Sequence, residues 1–281
     1  MRLALGLFLA LVALPALAQS ARPSICQAVA RDLAPDWRVE RASAGAGSDA
    51  LGPYEVAIRF DSHSTYLIES AGGVRIATDY AGYLMGDGTP GSRLPPRVAT
   101  MNRAHSSHYT SNPDPAIEHV LPGWANRLGG TAAPVEPAEH YVQVDDVTVR
   151  NVTTDILRYG RQANGNSIFI FEVAGLCIGH LGHLHHVPTD THYAAIGRLD
   201  VVMVPVDGGL TLSHIGMNEV LKRLRSSVIL PMHLRSYDAL PRFLAHMGEE
   251  FAVTRPRDAR LVVSLRSLPK RPTIVILPNL D

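Results

Sequence analysis

The chain has 281 residues, 26 of them basic and 26 acidic, and 46% of it is apolar. A formal net charge of zero, with no long run of either sign, gives nothing to draw the protein onto nucleic acid or an anionic membrane surface. The apolar content excludes general disorder and the length suits one large domain with a sizeable core, so a small molecule is the expected partner.

The first twenty residues, MRLALGLFLALVALPALAQS, carry a basic Arg2, an apolar run from Leu3 to Leu14 and the small-residue triplet Ala16-Leu17-Ala18. That pattern predicts a secretory signal peptide over residues 1–18, cleaved after Ala18, because the apolar run is short for a membrane span and polar residues follow it. The mature protein is then periplasmic or secreted, with no membrane contact once the signal is removed. Residues 19–52 read as an N-terminal segment and linker, rich in Gly, Ala and Ser toward Gly52, and residues 53–281 as one domain. Only Cys26 and Cys177 are present. In an oxidising compartment they can close a disulfide pinning the N-terminal segment to the body, and the alternative is that Cys177 is a small buried apolar residue.

Val56, Ile58 and Phe60 alternate with Glu55, Ala57 and Arg59, the period of a half-buried strand. Residues 65–68 and 74–78 follow as a hairpin turned by Ala71-Gly72-Gly73. Residues 81–96 are rich in Gly and Pro and predict a loop near a site mouth. Residues 114–121 read as a short helix stopped by Pro122-Gly123. Further strands are predicted over 141–144, 147–152, 167–173, 176–181, 201–204 and 228–230. Met217, Val220, Leu221 and Leu224 recur at helical spacing, as do Leu240, Phe243, Leu244 and Met247, which predicts two amphipathic helices packed on a sheet. Strands in two groups with helices outside predict an α+β fold, a four-layer αββα sandwich of two mixed β-sheets.

Thirteen histidines are present, and their positions matter more than their number. His105 and His108 follow one predicted strand in RAHSSHY. His180, His183, His185 and His186 cluster after another in GHLGHLHH, and His233 ends a third in PMH. Strand ends on one edge of a sandwich can converge, and converging neutral imidazoles are the usual way to hold zinc. The histidines at 119, 140, 192, 214 and 246 have no such context and are expected at the surface.

The segments GGVRIATDY, RAHSSHY, AGLCIGHLGH, LDVVMVPVDGG and VILPMH stand in an order that resembles the metallo-β-lactamase superfamily, most closely its ascorbate-phosphate lactonase-like hydrolase branch, over roughly Tyr54 to Tyr237. The family loop T-H-x-H-x-D-H, laid on residues 102–108, keeps His105 and His108 but has Arg103 for the first histidine and Ser107 for the aspartate. The family's bridging aspartate falls at His183, its closing histidine at His233, and its remaining histidine near Asn151 to Asp155, where Asp155 is the available substitute.

The resemblance therefore implies His105, His108, His183 and His233 as metal ligands, with His185 as a further donor. Asp79 would orient a ligand by hydrogen bond, and His63 and His180 would line the pocket or support ligands. Zinc is the expected ion, with iron or manganese as other candidates. One ion is expected rather than two, because a guanidinium about 4 Å from a cation costs on the order of 4 kcal/mol at an effective dielectric of about 20.

The implied function is a metal-dependent hydrolase acting on a small molecule by metal-activated water. His183 or Asp155 would serve as general base, and Arg103 would hold an anionic group or stabilise an oxyanion. Two alternatives remain open: a non-catalytic binding protein that keeps the sandwich and pocket, and a redox or oxygen-dependent metal site. Neither substrate nor oligomeric state is legible.

Overall fold

The computed structural model describes residues 24–27, 50–124 and 136–280. The predicted signal peptide and most of the linker lie outside the described residues. In chain order the elements are β1 (Val56–Ser62), β2 (Thr65–Ser70), β3 (Arg75–Ala77), β4 (Val98–Met101), β5 (His119–Pro122), β6 (Tyr141–Val144), β7 (Val147–Ile156), β8 (Gln162–Val173), β9 (Leu176–His180), α1 (Asp190–Ile196), β10 (Val201–Pro205), α2 (His214–Leu224), β11 (Val228–Met232), α3 (Ala239–Met247), β12 (Ala252–Thr254), β13 (Arg260–Val263) and β14 (Thr273–Val275).

The strands form two mixed sheets, as the patterning predicts. A six-stranded sheet runs β13-β1-β2-β3-β4-β5, and an eight-stranded sheet runs β12-β14-β11-β10-β9-β8-β7-β6. Ile58, Ile68, Ile76 and Val98 of the first sheet share one continuous core with Ile168, Ile170, Ile178 and Val202 of the second. Their neighbours Leu67, Ala77 and Ala99 point to the opposite face, as a period of two requires, and pack there with Tyr80, Met101 and Ile117. The Gly/Pro-rich segment after β3 is a loop, and with Leu84 it helps cover that outer face. Helices α1 and α2 connect β9 to β10 and β10 to β11, the crossovers that parallel neighbours need, and α3 connects β11 to β12, with β14 inserted between them.

Residues 114–121 are not a helix. One turn closes, with Ile117 N donating to Asp114 O and the Asp114 side chain accepting from Ala116 N, and the chain then joins the edge of β4 as β5, in parallel register from Val98↔His119 to Met101↔Pro122. Adjacent apolar residues imitate a helical stripe here, but Leu121 belongs to the core between the sheets and Val120 to the outer cluster. A strand buried on both faces gives that pattern too. His214, expected at the surface, is buried as the first residue of α2, with Nε2 on Val206 O at 2.8 Å.

Cys26 and Cys177 form a disulfide with 5.8 Å between Cα atoms, closing a sequence separation of 151 residues. Beside it, Glu172 of β8 accepts from Ser24 Oγ at 2.5 Å, Ile25 N at 3.0 Å and Arg150 Nε at 2.9 Å. The N-terminal segment is thus held to the larger sheet by a covalent bond and a buried ion pair. No helix among the described residues is long and apolar enough to cross a membrane.

Candidate metal centre

Four histidines from four separate segments meet where strands end. His63 sits in the tight turn between β1 and β2, His108 in the loop after β4, His183 just beyond β9 and His233 just beyond β11. His63 and His233 have ring centroids 4.4 Å apart, His108 and His233 5.2 Å, His108 and His183 4.9 Å, and His183 and His233 4.8 Å. One nitrogen from each of His63, His108 and His233 lies within 4.8 Å of the others.

The backbone explains the convergence. His63 and His233 have φ of 39° and 59°, and Asp79, which supports His108, has φ of 49°. Left-handed backbone at residues other than glycine is uncommon and costs free energy, so it collects where a side chain must be aimed. His233 N donates to His63 O at 2.8 Å, tying the β1–β2 turn to the end of β11. Gly182 (φ 61°) lets the chain pass close to Asn102 and Asn166; a Cβ there would lie 2.6 Å from Asn102 Nδ2. That approach delivers His183, whose backbone N–H donates to Asn166 Oδ1 at 2.7 Å.

Two buried carboxylates stand behind the rings. His108 Nδ1 donates to Asp79 Oδ2 at 2.5 Å, which leaves Nε2 for the cluster. Burial alone would raise the Asp79 carboxyl, but His108, by charge and hydrogen bond, and His180 outweigh it and hold it below the usual range. His233 Nδ1 lies 2.9 Å from Asp207 Oδ2, at ion-pair distance but not aligned as a hydrogen bond. Burial likewise pushes Asp207 up, and the nearby His233 together with hydrogen bonds from Thr211 and Gly209 pull it well down. Asp207 also accepts from the backbone N–H of Leu210 and Thr211, so it is fixed. A carboxylate behind a ligating imidazole sets its tautomer and raises its basicity.

Three of the rings are biased toward their neutral form. Burial, then the charges of His233 and His108, lowers His63 to about 4. Burial also drives His183 far down, and burial with Arg103 lowers His185 to about 4. His63 Nε2 is buried with no hydrogen-bond partner, and an orphaned imidazole nitrogen inside a cluster of imidazoles is what a bound cation would satisfy. His63, His108 and His233 therefore fit a metal ion.

The other predicted residues fall around this trio. His105 is exposed, its Nδ1 on Ser107 Oγ at 2.9 Å and its ring 5.9 Å from that of His108, outside the three-nitrogen group. Arg103 Nη1 lies 3.1 Å from His183 Nε2 and 3.3 Å from Nδ1, while His183 Nδ1 is 2.9 Å from His185 Nε2. One tautomer satisfies this set, with Nε2 accepting from Arg103 and Nδ1 donating to His185, and both nitrogens of His183 are then engaged. His180 is a satisfied interior residue that donates from Nε2 to Ser64 O at 2.8 Å and accepts at Nδ1 from Gly182 N at 3.1 Å. Asp155 is not brought to the cluster; its carboxylate accepts from Arg161 Nε at 2.6 Å and Asn164 N at 2.9 Å.

Two roles were hidden from the sequence. His63 reads there as a supporting residue, and its nitrogen is in fact among the three that converge. Asp207 stands directly behind His233, a place that the sequence around it does not announce. The available signal was position: His63 and Asp207 each sit one or two residues past a strand end, in turns where the chain reverses.

A sandwich of two mixed sheets with imidazoles gathered at strand ends defines a class, the αββα proteins built around a histidine-rich metal site. The chain belongs to the metallo-β-lactamase superfamily: residues 57–233, more than half its length, match the beta-lactamase superfamily domain. Among solved structures it is similar to a protein of Thermotoga maritima assigned as a Zn-dependent hydrolase of this superfamily, at 23% identity and TM-score 0.53, covering 79% of this chain and 98% of that one. It is also similar to a protein of Parabacteroides distasonis assigned as a metal-dependent hydrolase (11% identity, TM-score 0.49, 69% and 89% covered). A third is a metallo hydrolase of Ignicoccus hospitalis (16% identity, TM-score 0.49, 69% and 90% covered). The first of these likenesses bears on the fold. No curated protein matches the chain.

Proposed function

We propose that the protein is a metal-dependent hydrolase of a small molecule that works outside the cytoplasm, in the periplasm or after secretion. The observation that carries this is the trio His63, His108 and His233, with three nitrogens within 4.8 Å of one another and one of them buried without a partner. Neutral imidazoles suit zinc best, with iron or manganese as other candidates, and such an ion supplies a water of lowered pKa and a polarised carbonyl or phosphoryl oxygen.

The chain's own residues then have distinct tasks. Asp79 and Asp207 keep His108 and His233 oriented. His183 lies beside the trio with its nitrogens engaged by Arg103 and His185, and the Asp155 carboxylate is already satisfied by Arg161 and Asn164, so neither takes the proton of the attacking water, which passes to solvent. The Cys26–Cys177 disulfide supports an oxidising compartment, in keeping with the signal peptide expected over residues 1–18.

The test is turnover of lactone, carboxylic ester and phosphodiester panels by wild type and His108→Ala, with metal content measured on the same preparations. Stoichiometric metal and hydrolysis in wild type, both lost in the variant, are expected. Equal rates in the two would end the proposal.

A further inference from the structure

Arg103 is half-buried, and the only hydrogen-bond partner of its guanidinium among the described residues is His183. No carboxylate among the described residues reaches it. Burial and the charge of Arg158 both press on it, yet an arginine cannot shed its proton, so the charge stays and an anion would pair it. Two more arginines without a carboxylate partner among the described residues stand near. Arg158, at the tip of the β7–β8 hairpin, hydrogen-bonds Tyr159 and lies over its ring, and acts by charge on Arg103 and His185. Arg235, two residues past His233 and exposed, acts on His63 and His105.

Asp79 and Asp207 lie behind the rings and act by charge on His63 and His185, and Asp155 is paired with Arg161, so none of the three pairs with these arginines. A chain with zero formal net charge thus concentrates three cations at one site. Guanidinium groups match the geometry of carboxylate and phosphate, and a concave site lined by one sign of charge draws in the opposite sign.

We propose that Arg103, Arg158 and Arg235 form a clamp for an oxyanion, so that the substrate carries a carboxylate or phosphate group beside the bond to be cleaved. Arg103 and Arg158 hold the anion on the His183 side of the cluster, and Arg235 closes it from the β11 side. This rests on the hydrolase reading for the cleavage step, but the clamp itself binds without turnover.

The experiment titrates the full chain, metal-free and zinc-loaded, with inorganic phosphate and separately with benzoate as the carboxylate probe, following binding by calorimetry at two salt concentrations. Expected is binding to the metal-free wild type that weakens with salt, and a loss of about tenfold in affinity in each of Arg103→Gln, Arg158→Gln and Arg235→Gln. Arg158 and Arg235 lie on loops, so their variants keep the test sound if Arg103→Gln fails to fold. Tighter binding of one probe names the group. Binding only to the zinc-loaded protein, unchanged in the Arg158 and Arg235 variants, overturns the clamp. A parallel comparison uses p-nitrophenyl acetate and p-nitrophenyl phosphate. Equal cleavage of the two by every variant overturns the substrate class and leaves hydrolysis standing; anion binding with cleavage of neither upholds the clamp and removes the hydrolase reading.

Discussion

The strand β8 joins two regions that treat buried charge in opposite ways. Near its C-terminal end Glu172 meets Arg150 at 2.9 Å, both side chains 7% exposed, and Ser24 and Ile25 complete the set beside the disulfide. Near its other end Asn166 pairs with the backbone of Arg103, whose guanidinium finds only a neutral histidine. Where the fold needs cohesion alone, opposite charges are brought together and every lone pair is used. Where they are left apart, with orphaned nitrogens and left-handed backbone, the missing partner is a ligand.

The contrast can be broken most forcefully at the cohesive end. Arg150→Met strands Glu172 in the interior and is expected to cost roughly 3–5 kcal/mol of stability in urea unfolding, with metal affinity unchanged. Removing the disulfide as the Cys26→Ser, Cys177→Ser double variant is expected to cost roughly 2–5 kcal/mol, again without touching the metal centre. A loss of metal in either variant would show that the two regions are coupled.

At the other end the effects reverse in kind. Asp79→Asn removes the carboxylate behind His108 and is expected to lower metal affinity about 10–100-fold with a smaller change in unfolding free energy, read by competition with a chelator. The smallest effect is that of pH on the metal-free protein. His63 titrates at about 4 in the fold and near 6.5 when unfolded, and His185 behaves alike. The unfolded chain therefore binds more protons between those values, so stability is full above pH 6.5 and falls as pH drops toward 4, with His183, Asp79 and Asp207 extending the loss below that. The His63→Gln, His185→Gln double variant should flatten that slope; an unchanged slope would place the shifted groups elsewhere.

Much of this was legible from the chain. Period-two alternation marked β1, the glycine-bearing turn marked the β2–β3 hairpin, and helical spacing marked α2 and α3. Residues 114–121 misled because a strand buried on both faces and a helical stripe share a composition. At the site, His108, His183 and His233 were visible from their places after strands. His63 was not, since its part depends on a two-residue turn that swings it toward β11, and no local pattern encodes a neighbour 170 positions away. Arg103 was legible as a charge where the related family has a ligand, but not as a charge without a counter-ion, which is a property of the assembled fold.

The most direct test of the central claim is calorimetric titration of the metal-free full chain with zinc, in wild type and in His63→Ala. One ion per chain is predicted for wild type, with at least a hundredfold loss of affinity in His63→Ala, and one ion retained in His105→Ala. Two ions per chain in wild type, or undiminished binding in His63→Ala, would contradict it.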